Sequence, residues 1–121
     1  MQVTHVPRSN CPVACALDLF GDRWTLLVLR DLFAGSTRFG DFLKSAEHIP
    51  TNILADRLKR LQRAGLVEAV AYTTRPPRFD YRLTPAGRDL GPVLRAIGEW
   101  GLAHVPDTRA PDELLTALAR G

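Results

Sequence analysis

Apolar residues recur at helical spacing through the first half of the chain, switch to strand-like alternation, and then return to helical spacing. Asn10-Cys11-Pro12 opens the first helical pattern, and Pro12 suits the first helical position because an N–H there would have no intrahelical partner. The pattern predicts a helix over 13–20 that stops at Gly21. A second helix starts at Asp22 or Arg23. Trp24, Leu27, Val28, Leu29, Leu32 and Phe33 give it a broad apolar surface, so it belongs at the centre of the core. Gly35-Ser36 ends it. A third, short helix is expected over 38–46, with Phe39, Phe42 and Leu43 facing inward. His48-Ile49-Pro50 then makes a tight connection to a fourth helix over 51–64, stopped by Gly65. Leu54, Leu58 and Leu61 fall on one side of that helix.

After Gly65 the period becomes extended. Residues 66–72 are rich in Leu, Val and Tyr, and Phe79, Tyr81 and Leu83 alternate with Asp80 and Arg82. The two runs predict a β-hairpin whose tip, 73–78, is basic and stiffened by Pro76-Pro77. Phe39, Phe42, Phe79 and Tyr81 are expected in the core. Thr84-Pro85 is a helix start, a hydroxyl cap followed by proline in the first turn. The helix it opens is expected to run to about 103, bent at Pro92. A connection over 104–110 leads to a last amphipathic helix over 111–120 through Leu114, Leu115 and Leu118. The organisation expected is a flexible arm over 1–10, a compact unit over 11–103 and a helical extension over 104–121.

Two short helices joined by a tight turn and followed at once by a hairpin make a mainly α fold with a small β-hairpin wing, a winged helix-turn-helix. The second helix of such a pair fits a DNA major groove, and the hairpin tip can reach phosphates or the neighbouring minor groove. At 100° per residue, Asn52, Ala55, Asp56, Lys59 and Arg63 lie opposite the leucines. Thr51, Asn52 and Ala55 are short enough to approach base edges. Lys59, Arg60 and Arg63 are better placed for phosphates, as are Arg38 before the pair and Arg75 and Arg78 at the wing tip. Asp56 opposes this reading by its charge, although it can orient Arg60 one turn away or accept from a cytosine amine. A solvated basic surface is the plainer reading of each residue singly. The alternative for the whole is a winged helix used as a protein–protein interaction module, which would show weak, salt-insensitive behaviour towards DNA.

Charge sharpens the picture. The chain has 121 residues and a net charge of +3. Between Arg23 and Arg88 there are twelve Lys or Arg against six Asp or Glu, whereas the remainder has four against seven. The basic centre and acidic ends suit a nucleic-acid-facing middle. The best apolar run stops at Arg30-Asp31, too short to span a bilayer, and MQVTHVPRSN lacks the apolar stretch of a signal peptide. A cytoplasmic protein is therefore expected. Two cysteines are too few for a disulfide framework there, and with His5, His48 and His104 scattered they suggest no metal site. No G-x-S-x-G, G-x-x-x-x-G-K-[ST] or H-E-x-x-H is present, so neither an enzyme nor a cofactor is expected.

CPVACALDLFGDRWTLLVLRDLFAG, RFGDFL, LADRLKRLQRAGLV, PPRFDYRLTPAG and PVLRAIGEWG, in this order over about residues 11–101, resemble the HxlR family of bacterial winged-helix regulators. The resemblance implies a homodimer built from the N-terminal segment and the C-terminal helices, with two recognition helices presented to a palindromic double-stranded operator. It also implies activity as a repressor or activator, in several cases sensing quinones, aldehydes or oxidants through an N-terminal cysteine, the place held here by Cys11. Trp24 matches the family's packed aromatic residue, and Arg57 the arginine of its L-x-x-R-L pattern. Pro50 and Asp56 depart from the usual Ser or Thr and Gln, which moves the expected helix cap to Thr51. Cys15 and the tail after Pro106 lie outside the common pattern.

At the start of a helix, unpaired N–H groups and the helix dipole favour a thiolate, which would make Cys11 reactive. Cys15 follows one turn later, but an intact helix holds such a pair too far apart for a relaxed disulfide. Pairing needs the first turn to unwind, or a second subunit. Otherwise both are small buried hydrophobes at an interface. Trp100, near Ile97, is assigned either to the core or to a dimer contact. A pocket between the long helix and the rest of the core could admit a small apolar effector.

Overall fold

The computed structural model describes residues 8–109, 114 and 116–118. Its elements are α1 (Pro12–Phe20), α2 (Arg23–Phe33), α3 (Phe39–Phe42), α4 (Thr51–Arg63), β1 (Val67–Thr74), β2 (Pro77–Leu83), α5 (Pro85–Arg88) and α6 (Gly91–His104). Residues 114 and 116–118 are also helical. Of the arm expected over 1–10, residues 1–7 lie outside the described residues, as does most of the helix expected over 111–120, Leu115 included. The architecture is mainly helical with one antiparallel hairpin, β1 beside β2.

Local chemistry accounts for most boundaries. Asp22 caps α2 by accepting from the Thr25 N–H at 3.0 Å. Thr84 caps α5 by accepting from the Gly87 N–H. Gly65 follows α4 with φ 79°, left-handed backbone that glycine adopts without a Cβ penalty. Leu54, Leu58 and Leu61 of α4 are at most 1% exposed. They pack with Val28, Leu29 and Leu32 of α2, Phe42 of α3 and Leu94 of α6, and Leu118 closes the same core from the C-terminal stretch.

Six expectations need correction. The helix expected over 38–46 is α only through Phe42. Tighter bonds follow, from the Lys44 N–H to the Asp41 carbonyl and from the Ser45 N–H to the Phe42 carbonyl, and Ser45 Oγ is drawn to Asp31. With the helix ended, Leu43 turns outward and is exposed. The long helix after Thr84 is two helices rather than one bent at Pro92. Leu90 closes α5 on the Gly87 carbonyl at 3.1 Å, and Pro92 sits in the first turn of α6, where its missing N–H costs nothing. The hairpin strands run on to Thr74 and Pro77, which pair with each other, so the tip narrows to Arg75 and Pro76, joined by a cis peptide bond. Phe79, expected in the core, is exposed, because the outer half of the hairpin projects past the helices. Thr51 is the first helical residue of α4 and not its cap; Pro50 holds that position with no side-chain bond.

The turn before α4 is held by charge. Arg30 of α2 donates to both Glu47 oxygens, at 2.9 and 2.7 Å, and also to Asp31. His48 turns the chain with φ 55°. The bonds from Arg30 pull the Glu47 carboxyl down to about 2. Its folded pKa therefore lies below the unfolded value, so the bridge stabilises fully above about pH 4.5 and its contribution fades as pH falls towards 2. In urea unfolding, Glu47→Gln should be less stable than the parent at pH 7, and the gap should narrow to about a quarter of that by about pH 2.5. An equal gap at both pH values would mean the bridge is not what the substitution removes.

Candidate nucleic-acid interface

The leucines at 54, 58 and 61 turn one side of α4 into the core, so the opposite side must face solvent. Thr51, Asn52, Lys59, Arg60 and Arg63 are exposed there, with Ala55 and Asp56 half-buried between them. Asn52, Lys59 and Arg63 make no side-chain hydrogen bond or ion pair to other described residues. Asp56 is occupied: it pairs with Arg60 one turn on, at 2.9 Å, and with Arg57. Its charge is thus largely neutralised within the helix, which removes much of the repulsion expected of a carboxylate near phosphates.

Arg57 points the other way from this face. It is mostly buried, and its Nε donates to Asp22 at 3.0 Å. Asp22 thus caps α2 and ties it to the middle of α4 through the same carboxylate. Burial pushes the Asp22 carboxyl up, but the bonds from Thr25 and Arg57 outweigh this and hold it below its usual range. The clamp fixes the angle between the core helix and the exposed face of α4.

The hairpin is attached to the helix pair at two levels. The Tyr81 N–H donates to the Thr37 carbonyl at 2.7 Å, joining β2 to the segment before α3, and the Tyr81 ring meets Phe42 edge to face, 6.3 Å between centroids. Arg38 then spans from α3 to the wing. Its guanidinium lies 3.9 Å from the centroid of the Tyr72 ring, and its Nε donates to Asp80 at 3.2 Å. The strand register slips between Ala71 and Thr73, leaving Tyr72 as the extra residue of a bulge, and such bulges re-aim a side chain. Arg38, expected as a phosphate contact, is thus engaged as a brace. Arg75 and Arg78 stand exposed at the tip without partners among the described residues, while Thr73 Oγ donates to the Pro76 carbonyl and closes the turn.

The cysteines lie elsewhere, on α1, which itself packs against α4. Cys11 is the N-terminal cap residue and is exposed, so it is not a buried hydrophobe within a single chain. Cys15 is half-buried, and its thiol donates to the Ser9 carbonyl. Trp100 is 63% and Ile97 50% exposed, so neither belongs to the core of this chain.

Residue reasoning missed Asp22, Tyr72, Asp80, Arg30 and Glu47 as the groups that hold the interface in shape. Only Asp22 left a trace, a carboxylate three residues before Thr25 at a helix start. Among the described residues no helix is long and apolar enough to cross a membrane.

Known proteins share this arrangement. The chain is 42% identical over 99 residues to the uncharacterized HTH-type transcriptional regulator Rv3095 of Mycobacterium tuberculosis, covering 82% of this chain and 62% of that protein. It therefore spans somewhat under two thirds of the length of that relative. The structure of PA1607 superposes with a TM-score of 0.76 at 43% identity, covering 86% of this chain and 73% of the other. The redox regulator HypR in its oxidized form superposes at 0.70 with 31% identity, covering 84% of this chain and all of HypR (100%). The model of the HxlR-like helix-turn-helix family matches residues 19–109, which hold α2 through α6 and the wing. With its helix pair, braced hairpin and exposed basic helix face, the chain belongs to the HxlR-like helix-turn-helix family.

Proposed function

We propose that the protein is a homodimeric, operator-specific regulator that lays α4 of each protomer in the major groove of a palindromic site. The observation that carries this reading is the face of α4 bearing Asn52, Lys59 and Arg63, whose side chains are exposed and spend no bonds on other described residues. Thr51, Asn52 and Ala55 approach base edges, and Lys59, Arg60, Arg63, Arg75 and Arg78 meet phosphates. Asp56 orients Arg60. Arg38 sets the wing against the helix pair.

Dimerisation is supported by exposed apolar residues on α1 and α6. Val93 and Trp100 lie two turns apart along α6, and Val13 and Leu17 are exposed on α1. A two-fold interface over these faces would set the two α4 helices for half-sites about 34 Å apart.

Cys11 provides the input. It is exposed at the start of α1, and α1 lies against α4, so a covalent change there bears on the recognition helix through one contact. The similarity to HypR, a redox regulator, supports the same reading. Oxidation by diamide would take two protons and two electrons from two thiols, forming one disulfide and the hydrazine. The second thiol is Cys15 after the first turn unwinds, or a cysteine of the other protomer.

Mobility shift against fragments of the gene's own upstream DNA, with excess competitor, tests the proposal. The reduced protein should form a specific complex that weakens as salt rises. Diamide should change that complex, and the Cys11→Ser protein should not respond. A specific complex indifferent to diamide would retain the operator reading and make the cysteines structural. A folded dimer with only weak, salt-insensitive DNA binding would favour the protein-interaction module instead.

A further inference from the structure

We propose that the cleft between α2, α6 and the C-terminal helical stretch binds one small, neutral, apolar molecule, and that Arg30 conveys its presence to the turn preceding α4. The cleft has a volume of about 170 Å³. Leu26 and Leu27 line it from α2, Leu94 and Ile97 from α6, and Leu118 from the C-terminal stretch. Arg30 is the only polar side chain among its described lining residues.

Size and charge define the ligand class. A leucine-lined cavity of about 150 Å³ takes up benzene, so this one fits a single ring with a small substituent. The guanidinium of Arg30 is already engaged by both oxygens of Glu47 and by Asp31. One cation held by two carboxylates leaves no unpaired positive charge to receive an anion. A cation would enter an apolar lining in which the nearby carboxylates are already committed to Arg30. A neutral molecule alone loses nothing by entering.

The same arginine explains how occupancy would be felt. Arg30 borders the cleft and also holds Glu47, the residue before the left-handed turn at His48. Three residues beyond His48 the chain enters α4 at Thr51. An occupant pressing on Arg30 shifts the guanidinium from Glu47 and loosens the turn that aims the recognition helix. Packed elements of this kind switch between arrangements and do not deform smoothly. The consequence for DNA rests on the operator-binding reading above, but the binding step does not.

Toluene is the probe, followed by amide chemical shifts of the full-length ¹⁵N-labelled protein. Saturable shifts should centre on Leu26, Leu27, Leu94 and Ile97, and benzoate should produce none. Gly98 also lines the cleft, and a Cβ built there meets nothing within 4 Å. Gly98→Leu should therefore fill the space, improve helix propensity and abolish the toluene shifts. Toluene should weaken operator binding by at least about fivefold in the parent. In Glu47→Gln it should bind as before and leave operator affinity unchanged. Absent or unsaturable shifts, shifts retained in Gly98→Leu, or equal shifts with benzoate would overturn the site. Saturable toluene binding with operator affinity unchanged or raised would overturn the coupling. A protein that binds toluene but no operator would overturn the regulator reading, and with it the coupling, while the site itself stands.

Discussion

Gly87→Ala should lower the melting temperature by roughly 10–15 °C, the equivalent of about 3 kcal/mol for a chain of this size. Gly87 is buried in the first turn of α5, directly over the turn that leaves α4. A Cβ there would lie 2.1 Å from the Leu66 carbonyl oxygen and 3.2 Å from a methyl of Leu83. The closer atom is backbone and cannot rotate away. That carbonyl also accepts from the Thr84 N–H, while Thr84 Oγ donates to the Gly65 carbonyl, so α5 cannot lift without breaking two bonds. Gly40→Ala is the control. Its Cβ would meet nothing within 4 Å, and its backbone is helical, so stability should hold or rise slightly. If both variants melt within a degree or two of the parent, the close seat of α5 on Leu66 does not exist in solution.

The second large effect concerns DNA. The double variant Arg75→Ala, Arg78→Ala should melt like the parent, since both side chains are exposed and without partners among the described residues. Its operator affinity at moderate salt should fall by about tenfold to a hundredfold, and the slope of log affinity against log salt should shrink by about 2. The two readings separate the wing from the helix. Asn52→Ala should lose affinity for the operator with little change in slope, because a base contact displaces no counterion. An unchanged slope in the double arginine variant would remove the wing from the interface.

The parts of this molecule visible in its sequence are those governed by neighbours along the chain. Pro12, Asp22, Gly65 and Thr84 mark helix ends through local bonds, and the structure keeps all four marks. Leucines at 54, 58 and 61 fix which side of α4 is buried, and hence which side could meet DNA. What escaped were effects of distance. Arg38 meets Tyr72 and Asp80 across the fold, and Arg57 meets Asp22 thirty-five positions away. No periodicity announces such partners. The bend expected at Pro92 fails for a different reason: proline bends a helix in its interior and starts one at its first turn, and only the bond from Leu90 to Gly87 decides between them. Phe79 misled because strand alternation reports a face, not how far along the hairpin the helices reach.

The division of labour on α4 bears on how such a protein could acquire a new target. Positions 54, 57, 58 and 61 carry the packing and the Asp22 clamp, whereas 52, 59 and 63 carry neither. The outward side chains can therefore be exchanged singly or together with the helix angle left as it is. Retargeting becomes a matter of rewriting a few letters on a fixed plate. Lineages that duplicate such a gene could diverge in the sites they read long before they diverge in fold.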